Sequence, residues 1–441
     1  MTINERLHKT ITEFINREYK SYSQYVLSSR AIPSIIDGLK PSQRKILYTA
    51  IKTAKNKMIK TASLSGNTIS QASYHHGDAS LNSAISAMAA DWNNNLPLLE
   101  GEGNFGSRII NEPAAARYTF CKLHDNFEKY FVDNDILRFY KTDDPEDPEP
   151  RYYLPLIPWV LINGVKGIAI GHSTEILPRN PAQVKKLCAD YMSGKNIDNR
   201  QLLPWFKNFK GEVEQVDVNK YICRGKFERV SGTVIRIVEL PIGIEREKYI
   251  DILNKLEDDN KIVSYDDECS KSGFQFSVKL KRSTKISDRQ IYKMFKLEKG
   301  MSENLTVIDE NGNLAIFDSA IEILKYFCDW RVDQLTLRYD YYLERDTELV
   351  QWLVAKKKFI ELVNDGDFKM KNKSTTQLKN QLKTEGFIEE YWPRLLSMRI
   401  QQFSQEHIND LKDDIKKIMG DIEHWRSISK TQAYIEELKG L

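Results

Sequence analysis

The stretch RAIPSIIDGLKPSQR, residues 30–44, separates two segments of helical character and determines how the first third of the chain is laid out. Pro33 and Gly38 interrupt any regular element, while Pro41 suits the first turn of a new helix. We therefore predict a helix over about 7–28 and a second over about 41–56. The apolar residues that recur at helical spacing in the first segment are Leu7, Ile11, Phe14, Ile15, Tyr22, Tyr25 and Val26.

A third helical segment begins near Asp78, which follows a glycine and carries the short oxygen acceptor typical of an N-cap residue. Its apolar residues form one stripe with spacings of four, three and four: Leu81, Ile85, Met88 and Trp92. Two short helices separated by a polar loop are compatible with a helix-turn-helix-like unit.

The segment KTDDPEDPEP, residues 141–150, marks the end of this first region. Its last eight residues contain three prolines and five acids, which excludes regular structure and predicts a solvated surface connection. After it, apolar residues at every second position predict strands in an α+β domain over residues 151 to about 316. The clearest runs are GEVEQVDV (211–218), SGTVIRIVEL (231–240) and FQFSVKL (274–280).

Residues 319–363 contain neither proline nor glycine and predict one continuous helix, about 65 Å long at ~1.5 Å per residue. A second helix-rich segment runs from about Ile400 to Leu438. Two long, charged helices of this kind suggest an antiparallel coiled-coil arm. The segment between them forms a tip, for which dimerisation is a hypothesis.

The composition is that of a soluble chain, with 29% charged residues among 441. No apolar run long enough for a membrane span and no secretory signal occur, so a cytoplasmic protein without a membrane partner is expected. The five cysteines are widely scattered and fit reduced thiols. Residues 1–60 carry 12 lysines and arginines against four acids, a net charge of +8 that suits either a phosphate-binding surface or a solvated helix face.

Five separated stretches occur together in the order and spacing of one family. They are RAIPSIIDGLKPSQRKILY (30–48), YHHGDAS (74–80), GEGNFGS (101–107), AAARYTF (114–120) and LINGVKGIAIGHST (161–174). With them the chain resembles the breakage-reunion (gyrase A-like) subunit of type IIA DNA topoisomerases, especially its T4-like bacteriophage branch. The location implied for a phage-encoded chain is the cytoplasm of the host cell.

The resemblance implies an α+β multidomain fold with four regions. An N-terminal helical arm would occupy residues 1–28, and a winged-helix (helix-turn-helix-like) DNA-cleavage domain residues 29–150. An α/β tower domain would follow over residues 151–318. The long antiparallel coiled-coil arm, with a helical tip that dimerises at a C-terminal gate, would occupy residues 319–441.

By the same resemblance, Tyr118 is the nucleophile that attacks DNA and forms a transient 5′-phosphotyrosyl bond. Exchange of one phosphodiester for another conserves the bond energy for religation. Arg117 is assigned to the extra negative charge on five-coordinate phosphorus, for which its fork of donors is suited. Arg30 and His76 match further family positions near the scissile phosphate, where His76 would serve a proton transfer or a hydrogen bond.

Other residues are assigned to DNA binding. Lys40 and Arg44 match basic positions that hold phosphates near the cut, and Lys45 follows Arg44 on the same predicted helix. His75 either contacts the DNA backbone or packs within the protein. Ile168 in KGIAIG matches the isoleucine that this family inserts between base pairs to bend the duplex.

Residues 1–150 contain no acidic cluster suited to Mg²⁺, and the chain has no recognised ATP-binding motif. The resemblance therefore implies a large ATPase/TOPRIM partner subunit that holds both Mg²⁺ and ATP. The implied activity is ATP-dependent passage of one duplex through another, giving relaxation and decatenation. No active negative supercoiling is expected, since the chain stops without a DNA-wrapping domain. A non-catalytic DNA-binding scaffold of the same fold is the alternative.

Overall fold

The computed structural model describes residues 11–142, 146–281 and 286–441, apart from the side chains of residues 28 and 29. The chain divides into two compact units. The first extends to Trp330 and includes Glu437–Leu441, and the second is Arg331–Glu436. No described helix combines the length and the apolar composition that crossing a bilayer requires.

The described chain begins with a helical run in which α-helical and π-helical turns alternate. Its parts are α1 Ile11–Phe14, a π-helical turn Ile15–Tyr19, α2 Lys20–Val26 and a second π-helical turn Leu27–Ala31. This run agrees with the helix predicted over about 7–28, of which residues 7–10, including Leu7, lie outside the described part of the chain.

The apolar stripe of this run does not form a core within the first unit. Ile11, Phe14 and Tyr22 are each more than half exposed. Only Val26 of the described stripe is buried, in a small cluster with Ala31 and Ile32. The run therefore presents an apolar and aromatic surface, since helical spacing alone does not determine what a stripe packs against.

Three helices and a three-stranded antiparallel sheet follow. Their bounds are α3 Pro41–Thr53, β1 Ile59–Lys60, α4 Thr61–Gln71, α5 Asp78–Ala89, β2 Leu99–Glu102 and β3 Phe120–Leu123. Strand β3 lies between β1 and β2. The helix predicted after Gly77 is confirmed as far as Ala89, with Leu81, Ile85 and Met88 buried, but Trp92, the last residue of the predicted stripe, lies in the turn that follows. The helix begins at Asp78, and Gly77 rather than Asp78 is the N-cap residue.

An aromatic core follows β3. The elements here are α6 Asp125–Tyr130, a 3₁₀ helix Asn134–Phe139 and α7 Val160–Asn163. The ring of Phe131 lies 4.9 Å from that of Phe127 and 5.0 Å from that of Trp159. Tyr153 meets Phe127 edge-on, with ring centres 5.3 Å apart. These buried rings anchor the chain that leads from the first sheet to the next elements.

Strands β4 Val165–Ile168 and β5 Ser173–Ile176 form an antiparallel hairpin, which we call the 165–176 hairpin. Glu175 and Asn304 exchange two backbone hydrogen bonds of 2.9 and 3.0 Å, which tie the hairpin to the chain before β13 Leu305–Ile308. A side chain at Gly167 would place its Cβ 2.1 Å from the carbonyl oxygen of Ala31. The hairpin therefore touches the end of the N-terminal helical run.

The rest of the first unit combines short sheets with helices. The helices are α8 Pro181–Met192, α9 Arg246–Asp258 and α10 Asp288–Met294. The strands are β6 Glu212–Asp217, β7 Lys220–Arg224, β8 Lys226–Arg229, β9 Val234–Glu239, β10 Ile262–Asp267, β11 Phe276–Leu280, β12 Glu298–Ser302 and β14 Leu314–Phe317. They form the sheets β10-β11-β9-β8, β12-β7-β6 and β13-β14. The three strands predicted from alternation are confirmed as β6, β9 and β11.

The core of this α+β region lies around the four-stranded sheet. Tyr249 and Leu253 of α9 are fully buried in one cluster with Ile237 and Phe276 of the sheet. The hydroxyl of Tyr249 donates to the carbonyl oxygen of Phe295 at 2.9 Å, so this buried polar group has a partner.

The second unit is helical. Its elements are most of α11 Ala320–Asn364, α12 Thr375–Thr384, a 3₁₀ helix Glu389–Tyr391, α13 Trp392–Leu396, a 3₁₀ helix Ile400–Phe403, α14 Gln405–Ser427 and part of α15 Lys430–Gly440. Tyr339 of α11 stacks on Trp425 of α14. Further along, Ile360 packs with Ile408 and Leu411. Residue numbers rise on α11 as they fall on α14, so the two helices run antiparallel.

Candidate functional site

Tyr118 lies on a short turn directly before β3. The amide of Tyr118 donates to the carbonyl of Ala115 at 2.9 Å, which closes the turn. The amide of Ala62 donates to Ala116, and the amide of Thr61 donates to Thr119. The turn is therefore fastened to the start of α4, while Tyr118 itself is 66% exposed.

Thr119 forms a second connection between the turn and the start of α4. Its hydroxyl donates to the hydroxyl of Thr61 at 2.8 Å, and both residues are buried. Backbone pairing of Ile59 with Cys121 and of Lys60 with Phe120 continues the same connection. These contacts hold the turn in place. The phenol oxygen of Tyr118 can therefore meet a ligand without a preceding ordering of the backbone.

Arg117 stands beside the phenol. Its guanidinium carbon lies 4.9 Å from the centre of the Tyr118 ring, and both side chains are exposed. A guanidinium in this position offers several N–H donors to an anion that reaches the phenol oxygen. The pair therefore places an exposed phenol beside a cation, an arrangement suited to nucleophilic attack with stabilisation of a developing negative charge.

Most of the other sequence-predicted residues line one cavity of about 760 Å³, which we call the basic cavity. The predicted residues that the structure brings together there are Arg30, Lys40, Arg44, Lys45, His75 and His76. Tyr118 and Arg117 are not among its lining residues. The structure therefore places the predicted site in two parts within this chain: an exposed Arg-Tyr turn and a cation-lined cavity.

His76 lies among aromatic and cationic groups at this cavity. Its Nε2 is 3.4 Å from the hydroxyl of Tyr25, and its ring meets that of Tyr74 edge-on. Partial burial lowers the pKa of His76, and the electrostatic influence of Arg30 and His75 lowers it further. The imidazole is therefore held neutral at physiological pH, the form that can accept a proton or a hydrogen bond.

Arg44 is committed to a buried ion pair. Its guanidinium donates to both carboxylate oxygens of Asp37, at 2.8 and 3.0 Å, and to the carbonyl of Leu39. Burial disfavours the charged guanidinium, but the charge and hydrogen bonds of Asp37 outweigh it and hold the pKa of Arg44 above its usual value. Asp37 also accepts the amides of Leu39 and Tyr153, each at 3.0 Å. A phosphate contact by Arg44 would require part of this network to open.

Lys45 is similarly engaged. Its ammonium contacts Asp147 at 2.5 Å and Glu149 at 2.8 Å, and it donates to the carbonyl of Ala72. Burial raises the pKa of Glu149, and the hydrogen bond and charge of Lys45 oppose that rise. The expectation that residues 141–150 form a solvated connection is therefore wrong for Glu149, which is buried. Residues 143–145 lie outside the described chain.

Ile168 borders a second cavity of about 460 Å³, which shares Arg30 and Lys40 with the basic cavity. The side chain of Ile168 is 79% exposed at the end of β4. The ammonium of Lys40 donates to the carbonyl of Lys166 at 2.6 Å, which joins the start of α3 to the 165–176 hairpin. An isoleucine exposed to this degree has no role in the core.

A metal centre does not fit the described residues. Within 11–142, 146–281 and 286–441, no group of three or more histidine, cysteine, aspartate or glutamate side chains is arranged to hold a metal ion.

Two residues at the site were not found from the sequence. Asp37 anchors the start of α3, and Arg108 holds the loop that precedes the Tyr118 turn on the four-stranded sheet. Asp37 lies in the segment 30–44 between the first two predicted helices. A single acid within such a basic segment only weakly indicates a buried ion pair. Their partners lie 7 and 131 positions away, and no spacing rule predicts the second pairing.

Comparison with known proteins gives consistent relationships. The family profile of the A-type chain of DNA gyrase/topoisomerase IV matches residues 30–439. The DNA topoisomerase medium subunit of Enterobacteria phage T4 is 34% identical over 449 aligned positions, which cover 100% of this chain and 99% of the phage protein. A mitochondrial DNA topoisomerase 2 of Dictyostelium discoideum is 32% identical over 92% of this chain. The matched part is 33% of that longer protein.

The fold also matches a solved structure. The crystal structure of the DNA-binding, cleavage and re-ligation domain of Plasmodium falciparum topoisomerase II superposes with a TM-score of 0.86 and 29% sequence identity. The match covers 97% of this chain and 63% of the other. The described arrangement of mixed helices and sheets is therefore that of a known DNA-cleaving domain.

Proposed function

The chain belongs to the family of DNA gyrase/topoisomerase IV A-type chains, and from this membership and the geometry of its site we infer that it is the DNA-cleaving component of a type II topoisomerase. The observation that carries this proposal is the turn bearing Arg117 and Tyr118. It is fastened to the rest of the domain through Thr61 and Thr119, yet leaves the phenol exposed.

The reaction proposed for this turn is a reversible transesterification. The deprotonated oxygen of Tyr118 attacks a backbone phosphorus, a tyrosyl–phosphate bond forms at the 5′ end, and the 3′ oxygen leaves with its electron pair and takes up a proton. Religation is the reverse attack by that 3′ hydroxyl. Arg117 stabilises the additional negative charge of the five-coordinate phosphorus, and neutral His76 accepts a hydrogen bond or a proton near the DNA.

The DNA surface is proposed to include Arg30, Lys40, His75 and the exposed Ile168. The first three line the basic cavity, and Ile168 lies on the neighbouring cavity that shares Arg30 and Lys40. Helices α3 to α5 and the β1-β3-β2 sheet support a winged-helix description of this domain. Arg44 and Lys45, also predicted to contact DNA, are proposed to act there mainly by shaping the start of α3, because both are buried in ion pairs.

The enzyme is proposed to need a second subunit. From the similarity to the medium subunit of a multi-subunit topoisomerase, Mg²⁺ and ATP are assigned to an ATPase/TOPRIM partner. The exposed apolar and aromatic face of the N-terminal helical run supports contact with such a partner. The helical second unit is proposed to dimerise through its tip, where Ile388 and Ile400 are exposed.

The proposal is tested by denaturing the assembled complex on DNA. The chain is mixed with its partner subunit, Mg²⁺ and a duplex labelled at its 3′ ends, then quenched with detergent. We expect the label to remain on this chain, and peptide mapping to place it on Tyr118. Duplex binding without any covalent label on this chain would instead support the non-catalytic scaffold.

Replacement of Ile168 by alanine should weaken DNA bending with little effect on folding. A side chain that is 79% exposed contributes little to the core, whereas an apolar wedge localises a kink in the duplex. We expect roughly a tenfold loss of cleavage, equivalent to about 1.4 kcal/mol of lost bending free energy. Energy transfer between dyes on the two ends of a duplex measures the bend directly.

The matched control for this variant is Ile316→Ala, which removes an isoleucine that is 66% exposed on β14. It should leave both the bend and the cleavage rate unchanged. If Ile168→Ala bends DNA to the wild-type angle, Ile168 is not the wedge.

DNA binding should weaken as salt rises, and Lys40 should account for part of the dependence. Each phosphate contact releases counterions, so Lys40→Ala should reduce the slope of log Kd against log salt by about one. Titration of a duplex at several salt concentrations checks this. Lys379→Ala, an exposed lysine of α12, is the control and should keep the wild-type slope. An unchanged slope for Lys40→Ala would remove Lys40 from the DNA surface.

A further inference from the structure

The loop of residues 104–114 connects the first sheet to the Tyr118 turn, and it is closed at its base. The amide of Ala114 donates to the carbonyl of Asn104 at 2.9 Å. Gly106 adopts a positive φ of +80°, and a Cβ there would lie 2.5 Å from the carbonyl oxygen of Asn111. Across the tip, the amide of Ser107 donates to the carbonyl of Ile110 at 2.7 Å. The loop is therefore a compact unit rather than an extended connection.

The tip of this loop is anchored in the α+β region by Arg108. Its guanidinium donates to the carboxylate of Glu239 at 2.9 Å and to the carbonyl of Leu240 at 3.1 Å. The same guanidinium lies 5.3 Å from the ring centre of Phe209 and 5.4 Å from that of Phe274. The Arg108 side chain is 19% exposed and that of Glu239 only 5%. A cation with both a carboxylate and two rings holds its position more firmly than an exposed ion pair.

Two further contacts make the anchor specific. Glu239 also accepts the amides of Lys210 and Leu240, at 3.1 and 3.0 Å, so its orientation is determined by the sheet. Ile109 packs on the core of the four-stranded sheet, and its carbonyl accepts the amide of Arg246 at the first turn of α9. The loop tip is therefore held against the α+β region by side-chain, main-chain and apolar contacts.

We propose that Arg108 is a positioning residue for Tyr118. The inference rests on the proposed function, since it concerns the placement of the nucleophile. The closed base of the loop ends at Ala114, and the next carbonyl, that of Ala115, accepts the amide of Tyr118. Displacement of the loop therefore changes the turn that carries the phenol. Through the loop of residues 104–114, the α+β region therefore influences the position of the Tyr118 phenol oxygen.

The expected effect of an Arg108 substitution on the cleavage rate follows from the sensitivity of in-line attack to geometry. A misplacement of about 1 Å can cost on the order of 10²-fold in rate. Arg108→Met keeps the length and apolar stem of the side chain but removes the ion pair and the donors. We expect it to slow cleavage per active site by about tenfold to a hundredfold, with the Kd for DNA unchanged. Arg108→Lys keeps the charge and should restore part of the rate.

The first test uses the chain alone and does not depend on catalysis. Hydrogen exchange is followed at the amides of residues 104–118 in the wild type and in Arg108→Met. We expect about tenfold faster exchange in this segment, with the amides of β11 unchanged. Arg224→Ala is the matched control. It removes ion pairs with Glu214 and Glu298 in another sheet of the same region, and should leave residues 104–118 as protected as in the wild type.

The second test measures single-turnover cleavage by the complex with its partner subunit, Mg²⁺ and a duplex. The burst amplitude gives the fraction of active enzyme. The rate constant reports how well the phenol oxygen of Tyr118 is positioned for attack. Arg108→Met should lower the rate constant, and adding Glu239→Gln should slow it little further, because both remove one contact. A wild-type rate constant with a reduced amplitude, or an equal loss in Arg224→Ala, would overturn the role of Arg108. Absence of any covalent adduct in the wild-type chain would instead refute the proposed function.

Discussion

Replacement of Tyr118 by phenylalanine should abolish the covalent DNA adduct while duplex binding persists. The change removes only the phenol oxygen, and the side chain is 66% exposed, so neither folding nor packing should suffer. Loss of a nucleophile typically costs on the order of 10⁴-fold or more in rate. A denaturing gel of the complex on labelled duplex should show no label on this chain, and strand passage should be undetectable.

The control for this variant is a tyrosine outside the proposed DNA and partner surfaces, changed in the same way. Tyr292→Phe removes a hydroxyl from α10 in the α+β region and should keep a full adduct. Binding of the duplex by Tyr118→Phe should match the wild type within about twofold, because surface substitutions away from special features are near neutral. Unchanged strand passage by Tyr118→Phe would disprove the nucleophile and leave the scaffold interpretation.

Replacement of Asp37 by alanine should be strongly destabilising. Asp37 is fully buried and accepts four hydrogen bonds, two from Arg44 and one each from the amides of Leu39 and Tyr153. Its removal leaves the guanidinium of Arg44 buried without its counter-charge, which costs about 3–5 kcal/mol. Thermal unfolding should show a lower Tm for the first unit, and DNA binding should fall because the start of α3 carries Lys40.

Two controls separate the ion pair from general effects. Asp217→Ala removes an exposed partner of Lys220 and should leave the Tm unchanged within error, since surface pairs contribute little. Asp37→Asn keeps one acceptor oxygen, enough for only one of the two amides, because Leu39 and Tyr153 donate to different oxygens of Asp37. Its Tm should fall between those of the wild type and Asp37→Ala. An unaltered Tm for Asp37→Ala would show that Arg44 does not depend on this carboxylate.

Regular patterns in the sequence predicted much of the architecture. The 45-residue helix α11 follows from an uninterrupted run without proline or glycine, and strands β6, β9 and β11 follow from strict alternation. The burial of Leu81, Ile85 and Met88 follows from their helical spacing. These features depend on local periodicity, which the sequence states directly.

The charged groups were harder to predict. Arg44 and Lys45 have the pattern of free cations in a basic segment, yet each is buried against an acid that no spacing rule identifies. Glu149 lies within a proline-rich stretch that favours solvation, but its pairing with Lys45 is a tertiary contact. The N-terminal run shows the reverse case, because most of its apolar stripe stays exposed within the described chain and only Val26 is buried. Local sequence patterns predict which segments form helices and strands, whereas tertiary contacts determine which side chains of those elements are buried.

The Tyr118 turn was predicted in part. The motif AAARYTF, through its family resemblance, located Tyr118 and Arg117, and the structure adds that the two lie side by side on a fastened turn. The role of Arg108 could not be predicted from GEGNFGS and the residues after it, because its partner Glu239 lies 131 positions away. A single arginine in a glycine-rich loop has no local signature of an anchor.

The close approach of Gly167 to Ala31 affects how mutational scans of the 165–176 hairpin should be interpreted. Any side chain at position 167 collides with a main-chain oxygen of the N-terminal run, so every substitution there will score as harmful. Position 168, one residue on, is expected to score as harmful for a different reason, contact with DNA. Two adjacent intolerant positions would then resemble one functional motif. Paired measurements of soluble yield and of activity distinguish them, because the first position loses both and the second loses activity alone.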